Sequence, residues 1–241
     1  DPATAQAQGA WMTATGYDDL YADRGRIYYY WVKGAKDQYS NFITGLSAPD
    51  TGWRAFDAAQ QVNASDGDYD DRVLVTWAQV TGANYYRVYR GKQSGAENAA
   101  PVSDWQTGRT FIDTTATSAM LYYYYVASAA NADGDNPSMS GADTGWRALA
   151  PPLAVTASKG LFVGMVGVSW QKGSPEATHF RIYRSTESDP ATARPVSDWK
   201  DGLYYDDMDA QPRENYYYWV TAATDETGAS ESASSSSGSM S

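Results

Sequence analysis

Carboxylates are the groups whose spacing in this sequence first suggests chemistry. Asp19, Asp113 and Asp207 stand 94 residues apart (113 − 19 = 94 and 207 − 113 = 94), each two residues after an aromatic: Tyr17, Phe111 and Tyr205. Hydrolysis of the glycosidase type needs two carboxyls roughly 5–10 Å apart in one site. One carboxylate at a fixed place in each of several repeats reads instead as structural, a turn hydrogen bond after a strand. Asp66, Asp68 and Asp70 alternate as the oxygen ligands of a calcium loop do, which makes them the calcium candidates of this chain. Two observations oppose that reading. Counted from Asp66, Trp77 falls where the closing bidentate Glu of such a loop belongs, and the equivalent stretch Lys159-Gly160-Leu161-Phe162-Val163 carries no acid. Asn131, Asp133 and Asp135 form a second cluster of this kind, read first as a solvated loop. His179 is the single histidine, so no histidine-based triad or multi-histidine metal site can be assembled, and the absence of cysteine removes disulfides and thiolate metal sites. The expectation is a protein with no catalytic residues, no metal and no cofactor.

The elements that would position these groups follow from composition and periodicity. The chain has 241 residues, 42% of them hydrophobic, with 20 Tyr and 9 Trp; that supports packed cores and favours strands. A net charge of −11 and a pI near 4.4 argue against nucleic acid or an anionic membrane as partner, since both demand clustered Lys and Arg. No apolar run approaches the ~20 residues of a membrane helix. The first residues, Asp1-Pro2-Ala3-Thr4, lack the basic and apolar regions of a signal peptide. Either a leader has been removed or the chain is a piece of something longer.

A run of aromatics organises the chain. Ile27-Tyr28-Tyr29-Tyr30-Trp31-Val32 returns as Leu121-Tyr122-Tyr123-Tyr124-Tyr125-Val126 and as Asn215-Tyr216-Tyr217-Tyr218-Trp219-Val220, again at a period of 94. Trp11, Trp105 and Trp199 share the period. Within the middle repeat, short strands are expected at 61–64, 72–77, 85–90, 102–105, 109–113, 121–126 and from Ser138 to about Trp146, separated by turn residues. The period of two places Val73, Val75 and Trp77, Tyr86 and Val88, and Tyr122, Tyr124 and Val126 on core faces. The third repeat follows suit with Val155, Val166, Val168, Trp170, Phe180 and Ile182. Seven short strands per 94 residues is the pattern of an antiparallel sandwich.

These repeats resemble fibronectin type III domains of the kind strung in tandem in large secreted or surface-anchored bacterial proteins. Val73-x-Val75-x-Trp77 is similar to the second strand with its core Trp, Tyr86-x-Val88-x-Arg90 to the third, and Tyr122-x-Tyr124-x-Val126 to the sixth. The resemblance implies an all-β fold of tandem seven-stranded immunoglobulin-like sandwiches. It also implies that Tyr122 and Tyr216, at the start of the sixth strand, hydrogen-bond back to the preceding loop. No Arg-Gly-Asp tripeptide is present, so integrin-type adhesion is not carried over.

The repeat divides the chain into residues 1–56, 57–149 and 150–241, and the first unit is expected to be incomplete. Asp1-Pro2-Ala3-Thr4-Ala5 matches Asp189-Pro190-Ala191-Thr192-Ala193, so the counterpart of residues 150–188, 39 positions and three strands, has no match. At the other end Trp146 plus 94 gives Met240, which places the last strand of the third unit at the end of the chain. A half sandwich would expose the inner face of Tyr28, Tyr30 and Val32 together with an open strand edge. Strands from another polypeptide, a neighbouring unit, or a truncated arrangement would each account for it. Tyr29 and Trp31, Tyr123 and Tyr125, and Tyr217 and Trp219 point to the opposite face, where they either contact sugar rings or protein or pack against Arg87, Tyr89, Arg181 and Tyr183 on the next strand. Trp53 and Trp146, each in a Thr-Gly-Trp triplet before a short linker, are expected at the domain junctions, and the apolar, proline-stiffened linker Arg147–Pro152 suits a semi-rigid rod.

The functional expectation is an extracellular or cell-surface structural or adhesive protein, a subunit or fragment of a fibre, sheath or array. Its partner is protein: a further copy of itself, or the missing N-terminal part of its precursor. A carbohydrate-binding accessory module of a secreted enzyme is the alternative.

Overall fold

Alternating apolar and polar residues, rich in Tyr, Val and Thr, give short strands throughout, and helix is confined to single 3-10 turns. The computed structural model describes residues 1–236 and the backbone of 238–239; the equivalence of Trp146 with Met240 lies outside the described residues.

In the middle of the chain β3 (Asn63–Ala64), β4 (Val73–Thr76) and β7 (Thr110–Asp113) form one antiparallel sheet in the order β3-β4-β7. The facing sheet has the order β10-β8-β5-β6, built from β5 (Tyr85–Gly91), β6 (Ala100–Pro101), β8 (Tyr122–Ala129) and β10 (Asp143–Gly145), and β9 (Ser138–Met139) also pairs with β8. The third repeat builds the same pair of sheets, β11-β12-β15 and β14-β13-β16-β17. Its strands are β11 (Leu153–Ala157), β12 (Val166–Gln171), β13 (His179–Ser185), β14 (Arg194–Pro195), β15 (Tyr204–Asp207), β16 (Tyr217–Ala223) and β17 (Gly238–Ser239).

The inward faces are those the period of two selects. Val73, Val75, Val88, Tyr124 and Val126 are fully buried between the middle sheets, with Trp77, Tyr86 and Tyr122 nearly so. Val168, Ile182, Tyr218 and Val220 fill the same places in the third repeat, with Phe180 and Trp170 beside them. Each fully buried aliphatic or aromatic side chain contributes about 1.5–3 kcal/mol relative to exposure.

Two expected strands take another form. The segment 102–105 is irregular and the ladder lies just before it, at Ala100–Pro101, because the Ser103 hydroxyl accepts the Val88 N–H at 2.9 Å in place of a backbone carbonyl. The strand expected from Ser138 to Trp146 is cut in two for a similar reason. The Ser140 hydroxyl accepts the Val126 N–H at 2.8 Å and donates to the Gly141 carbonyl at 2.7 Å, so one side chain replaces the ladder. Ser235 accepts Val220 N–H and Ser47 accepts Val32 N–H in the same way, each at 3.0 Å.

The repeated tryptophans cover a turn in each unit. A side chain on Gly134 (φ +75°) would place its first carbon 2.2 Å from the Trp105 ring, and one on Gly228 (φ +86°) would lie 2.4 Å from Trp199, so both turns require glycine for conformation and for space. In the first unit the equivalent residue is Ser40, held at φ +65° with its hydroxyl accepting the Trp11 indole N–H at 2.6 Å.

Residues 1–56 form a single hairpin-like sheet, β1 (Ile27–Tyr30) paired antiparallel with β2 (Asp50–Trp53), within extended chain. Here Ala22 and Phe56 are the buried residues. Of the 22 large hydrophobic side chains exposed among the described residues, 13 lie between Trp11 and Trp53, so the burial that stabilises the other two repeats is largely absent from this one.

At the connections between repeats the buried residues are Phe56 and Leu149, each three positions beyond a Thr-Gly-Trp triplet. Phe56 lies over Gly25 of the first unit while joining the core of the second, and Leu149 belongs to the core of the third, against which Ala119 of the second also packs. Trp53 is half exposed, and Trp146 lies over Gly67, whose N–H donates to the Trp146 carbonyl at 2.9 Å, within its own unit. Leu149→Ala should destabilise the third repeat by about 2–4 kcal/mol, because a fully enclosed side chain leaves a cavity. Urea unfolding followed through tryptophan fluorescence measures this; a loss under ~0.5 kcal/mol would show that the linker is not part of that core.

Candidate functional site: a cross-sheet carboxylate and its half-formed copy

Two of the carboxylates spaced at 94 residues, Asp113 and Asp207, end strands β7 and β15, and both are turned inward. Asp113 is 1% exposed. Its Oδ1 accepts the Thr115 backbone N–H at 2.9 Å and the Thr115 hydroxyl at 2.7 Å, the turn expected after the fifth strand. Its Oδ2 faces the opposite sheet, where Arg90 at the end of β5 donates Nη1–H at 2.6 Å and Tyr124 of β8 donates its hydroxyl at 2.9 Å. The guanidinium also lies over the Tyr122 ring, 4.5 Å from its centre.

Burial pushes the Asp113 carboxyl up, but the Thr115 hydrogen bonds, the Arg90 charge and the Tyr124 hydroxyl outweigh it, and the group sits below the usual carboxylate range. Burial together with the Asp113 charge holds the Tyr124 hydroxyl well above its ordinary value. The third repeat reproduces the arrangement: Arg184 Nη1 donates to Asp207 Oδ2 at 2.7 Å, the Tyr218 hydroxyl donates to the same oxygen at 2.8 Å, and Arg184 covers Tyr216 at 4.6 Å.

Arg90 with Arg184 and Tyr124 with Tyr218 share the 94-residue period, which is the signal that could have joined them to the carboxylates in advance. Tyr122 and Tyr216 turn their hydroxyls back to the loop five residues earlier, where the Thr117 and Gln211 backbone N–H groups each donate at 3.4 Å.

The first repeat holds half of this cluster. Asp19 Oδ1 accepts the Tyr21 and Ala22 N–H groups, each at 3.0 Å, and Oδ2 accepts the Tyr30 hydroxyl at 3.1 Å. Among the described residues no cation pairs with Asp19. Tyr28 repeats the corner bond, its hydroxyl donating to Asp23 Oδ2 at 2.9 Å. The β1 edge that corresponds to the β5-facing edge of β8 is unpaired, since β1 pairs with β2 alone among the described residues. Val32 is 72% exposed, whereas its equivalents Val126 and Val220 are fully buried, and Tyr28 and Tyr30 are only half-buried.

The outward aromatics divide differently from the expectation. Tyr29 is 60% exposed and stacks at 6.3 Å on half-buried Trp31, and Tyr123 and Tyr217 are half-buried. Tyr125 and Trp219 are not surface residues: they are 4% and 3% exposed. The connection between β5 and β6 folds over this face of the sheet, and its Gly95 N–H donates to the Tyr125 hydroxyl at 2.6 Å; Trp219 lies opposite Tyr183 with its ring against Tyr217. Asp66, Asp68 and Asp70 do not converge, and no group of three or more His, Cys, Asp or Glu among the described residues is placed to hold a metal ion. Asp66 is raised by burial and by the neighbouring charges of Asp143 and Asp68. The Thr178 hydroxyl lies 2.9 Å from His179 Nδ1, at the start of β13.

Among solved structures, a two-domain fibronectin type III segment of chicken tenascin superposes with a TM-score of 0.51 at 15% identity, covering 76% of this chain and 98% of that one. An Fn3-like protein from Clostridium thermocellum aligns with a TM-score of 0.34 at 23% identity over 39% of this chain and 93% of that chain. No family model matches the sequence, and no curated protein matches it. The fold is that of tandem fibronectin type III domains, all-β sandwiches in series.

Asp113→Asn leaves the Arg90 guanidinium largely buried without its counter-charge and should cost about 3 kcal/mol of stability at neutral pH. The folded-state pKa of Asp113 is lowered, so its stabilisation is present above the ordinary carboxylate value of about 4 and is lost as pH falls through the lower folded value. Urea titrations of wild type and variant should therefore converge in acid; a gap unchanged from neutral pH down to about pH 2 would contradict an ionised Asp113 as the stabilising group.

Proposed function

We propose that this chain is a non-enzymatic, extracellular structural or adhesive protein, a subunit or fragment of a surface fibre, sheath or array. Residues 57–149 and 150–241 are its two complete sandwiches, whose cores Phe56 and Leu149 join from the unit before, and residues 1–56 form half of a third, completed by strands from outside those residues. The observation that carries this reading is the contrast at one repeated position: Val126 and Val220 are fully buried, Val32 is 72% exposed, and the strand edge beside Val32 is unpaired. An open edge flanked by an apolar face invites strand addition, in which main-chain hydrogen bonds supply affinity and side-chain pockets supply specificity. Asp113 and Asp207 are each spent on a cross-sheet contact within one repeat, which supports a structural rather than catalytic use of the repeated carboxylates.

The stacked Tyr29–Trp31 pair is the feature that favours the second reading, contact with polysaccharide. With Tyr125 and Trp219 buried, that reading rests on the first unit alone. Saturable binding of the monomeric chain to an insoluble polysaccharide, lost in Tyr29→Ala, would favour it.

Material purified natively should contain this chain in a complex or polymer that separates under denaturing conditions, measured by sedimentation. Val32→Asp should abolish that association while leaving the unfolding of the other two repeats unchanged, because the side chain is already exposed in the free chain. A native preparation that is a stable monomer, or association indifferent to Val32→Asp, would contradict strand completion.

A further inference from the structure

The two complete repeats define the strand that the first one lacks. In the middle repeat β5 runs antiparallel to β8 with Val88 opposite Val126, Tyr89 opposite Tyr125 and Arg90 opposite Tyr124. In the third, β13 runs against β16 with Ile182 opposite Val220, Tyr183 opposite Trp219 and Arg184 opposite Tyr218. Subtracting 94 from the β8 positions gives Tyr30 at the end of β1 and Trp31 and Val32 just beyond it. In both complete copies the residue opposite the inner Tyr is arginine, and its guanidinium meets the Oδ2 atom of the carboxylate that also accepts that Tyr hydroxyl. Asp19 Oδ2 already accepts the Tyr30 hydroxyl and has no cation.

We propose that the polypeptide completing the first unit presents an arginine opposite Tyr30, with an aromatic opposite Trp31 and an aliphatic residue opposite Val32, and that this arginine closes onto Asp19. The inference rests on the strand-completion reading above and adds the identity of the group that sets the register.

The physical need is specific. Covering the sheet removes water from Asp19, and a carboxylate so enclosed requires either a counter-charge or protonation. A bidentate-capable guanidinium on a strand end reaches across the sandwich from the position Arg90 occupies; the local cation Arg26 lies over Tyr28 at 5.2 Å and pairs with Asp23 instead. A one-residue slip of the incoming strand would turn the arginine to the outer face and bring a residue of the other face against Asp19, so the ion pair and the apolar pattern select the same register. Antiparallel pairing of β1 with β1 of a second copy in the register that sets Arg26 opposite Tyr30 would place Gly25 opposite Trp31 and Arg24 opposite Val32, neither an aromatic nor an aliphatic residue.

The test uses the full chain and a synthetic segment of residues 150–188, which contains β11, β12 and β13, added in trans. The segment should slow hydrogen exchange at residues 27–34 and bind measurably. Arg184→Met in the segment should weaken binding about tenfold or more, and the same change should have little effect on a chain carrying Asp19→Asn, since the two groups are coupled. Equal binding by the wild-type and Arg184→Met segments would overturn the arginine inference while leaving strand completion standing. Absence of protection with either segment would overturn both. Protection of residues 27–34 that grows with chain concentration alone would identify a second copy as the occupant and would also overturn the proposal.

Discussion

A carboxylate enclosed between two apolar sheets must be met by charge and hydrogen bonds from the facing sheet, or the sandwich cannot close over it. An ion taken out of water costs several kcal/mol even after the protein relaxes, and Asp113 and Asp207 are almost wholly enclosed. Each is satisfied by the same pair of groups, an arginine at the end of one strand and the hydroxyl of an inward tyrosine on its neighbour. The contact joins β7 to β5 and β8, or β15 to β13 and β16, so it sets the distance and register between sheets that apolar packing alone would leave adjustable. The tyrosine runs follow from this. One tyrosine of each run must be long enough to reach the carboxylate, and the one two residues earlier supplies the ring over which the guanidinium lies.

The first repeat satisfies the same constraint by half. Asp19 keeps its turn and its tyrosine, and in the absence of a facing sheet it remains partly hydrated, which is why the arrangement is tolerable in the free chain. The rest of that unit shows the same deficit: a two-stranded sheet, a largely exposed valine two residues beyond β1, and a concentration of uncovered aromatics. Serine hydroxyls replace ladder carbonyls on the β9–β10 side in all three repeats, and the other edge of β1, where β5 stands beside β8 in the middle repeat, is unpaired among the described residues.

Much of this was legible in the sequence, for physical reasons that can be named. Inward-facing Val73, Val75, Val88, Tyr124 and Val126 follow from a side-chain period of two combined with a 94-residue repeat, and both survive folding because burial enforces them. What was not legible depends on contacts between distant segments. Asp113 read as a turn residue, which it is through Oδ1, whereas its partnership through Oδ2 needs Arg90, 23 residues earlier, and Tyr124, 11 residues later. Tyr125 and Trp219 read as outward and are outward in the pleat, yet the β5–β6 connection, whose path no local pattern dictates, takes Tyr125 from the surface. The acidic cluster shows the same limit: alternating acids specify a loop composition, and only the fold decides whether their oxygens meet, which no group of three or more His, Cys, Asp or Glu does among the described residues.

The account stands on the proposal that the inner face of the first repeat is covered in the working protein by strands from outside residues 1–56. Hydrogen exchange at residues 28–32, compared with 122–126 and 216–220, measures that claim most directly when the free chain and the native assembly are taken side by side. In the free chain residues 28–32 should exchange orders of magnitude faster than their two counterparts, and in the native assembly all three segments should be protected to a similar degree. Fast exchange at residues 28–32 in the native assembly would contradict the account.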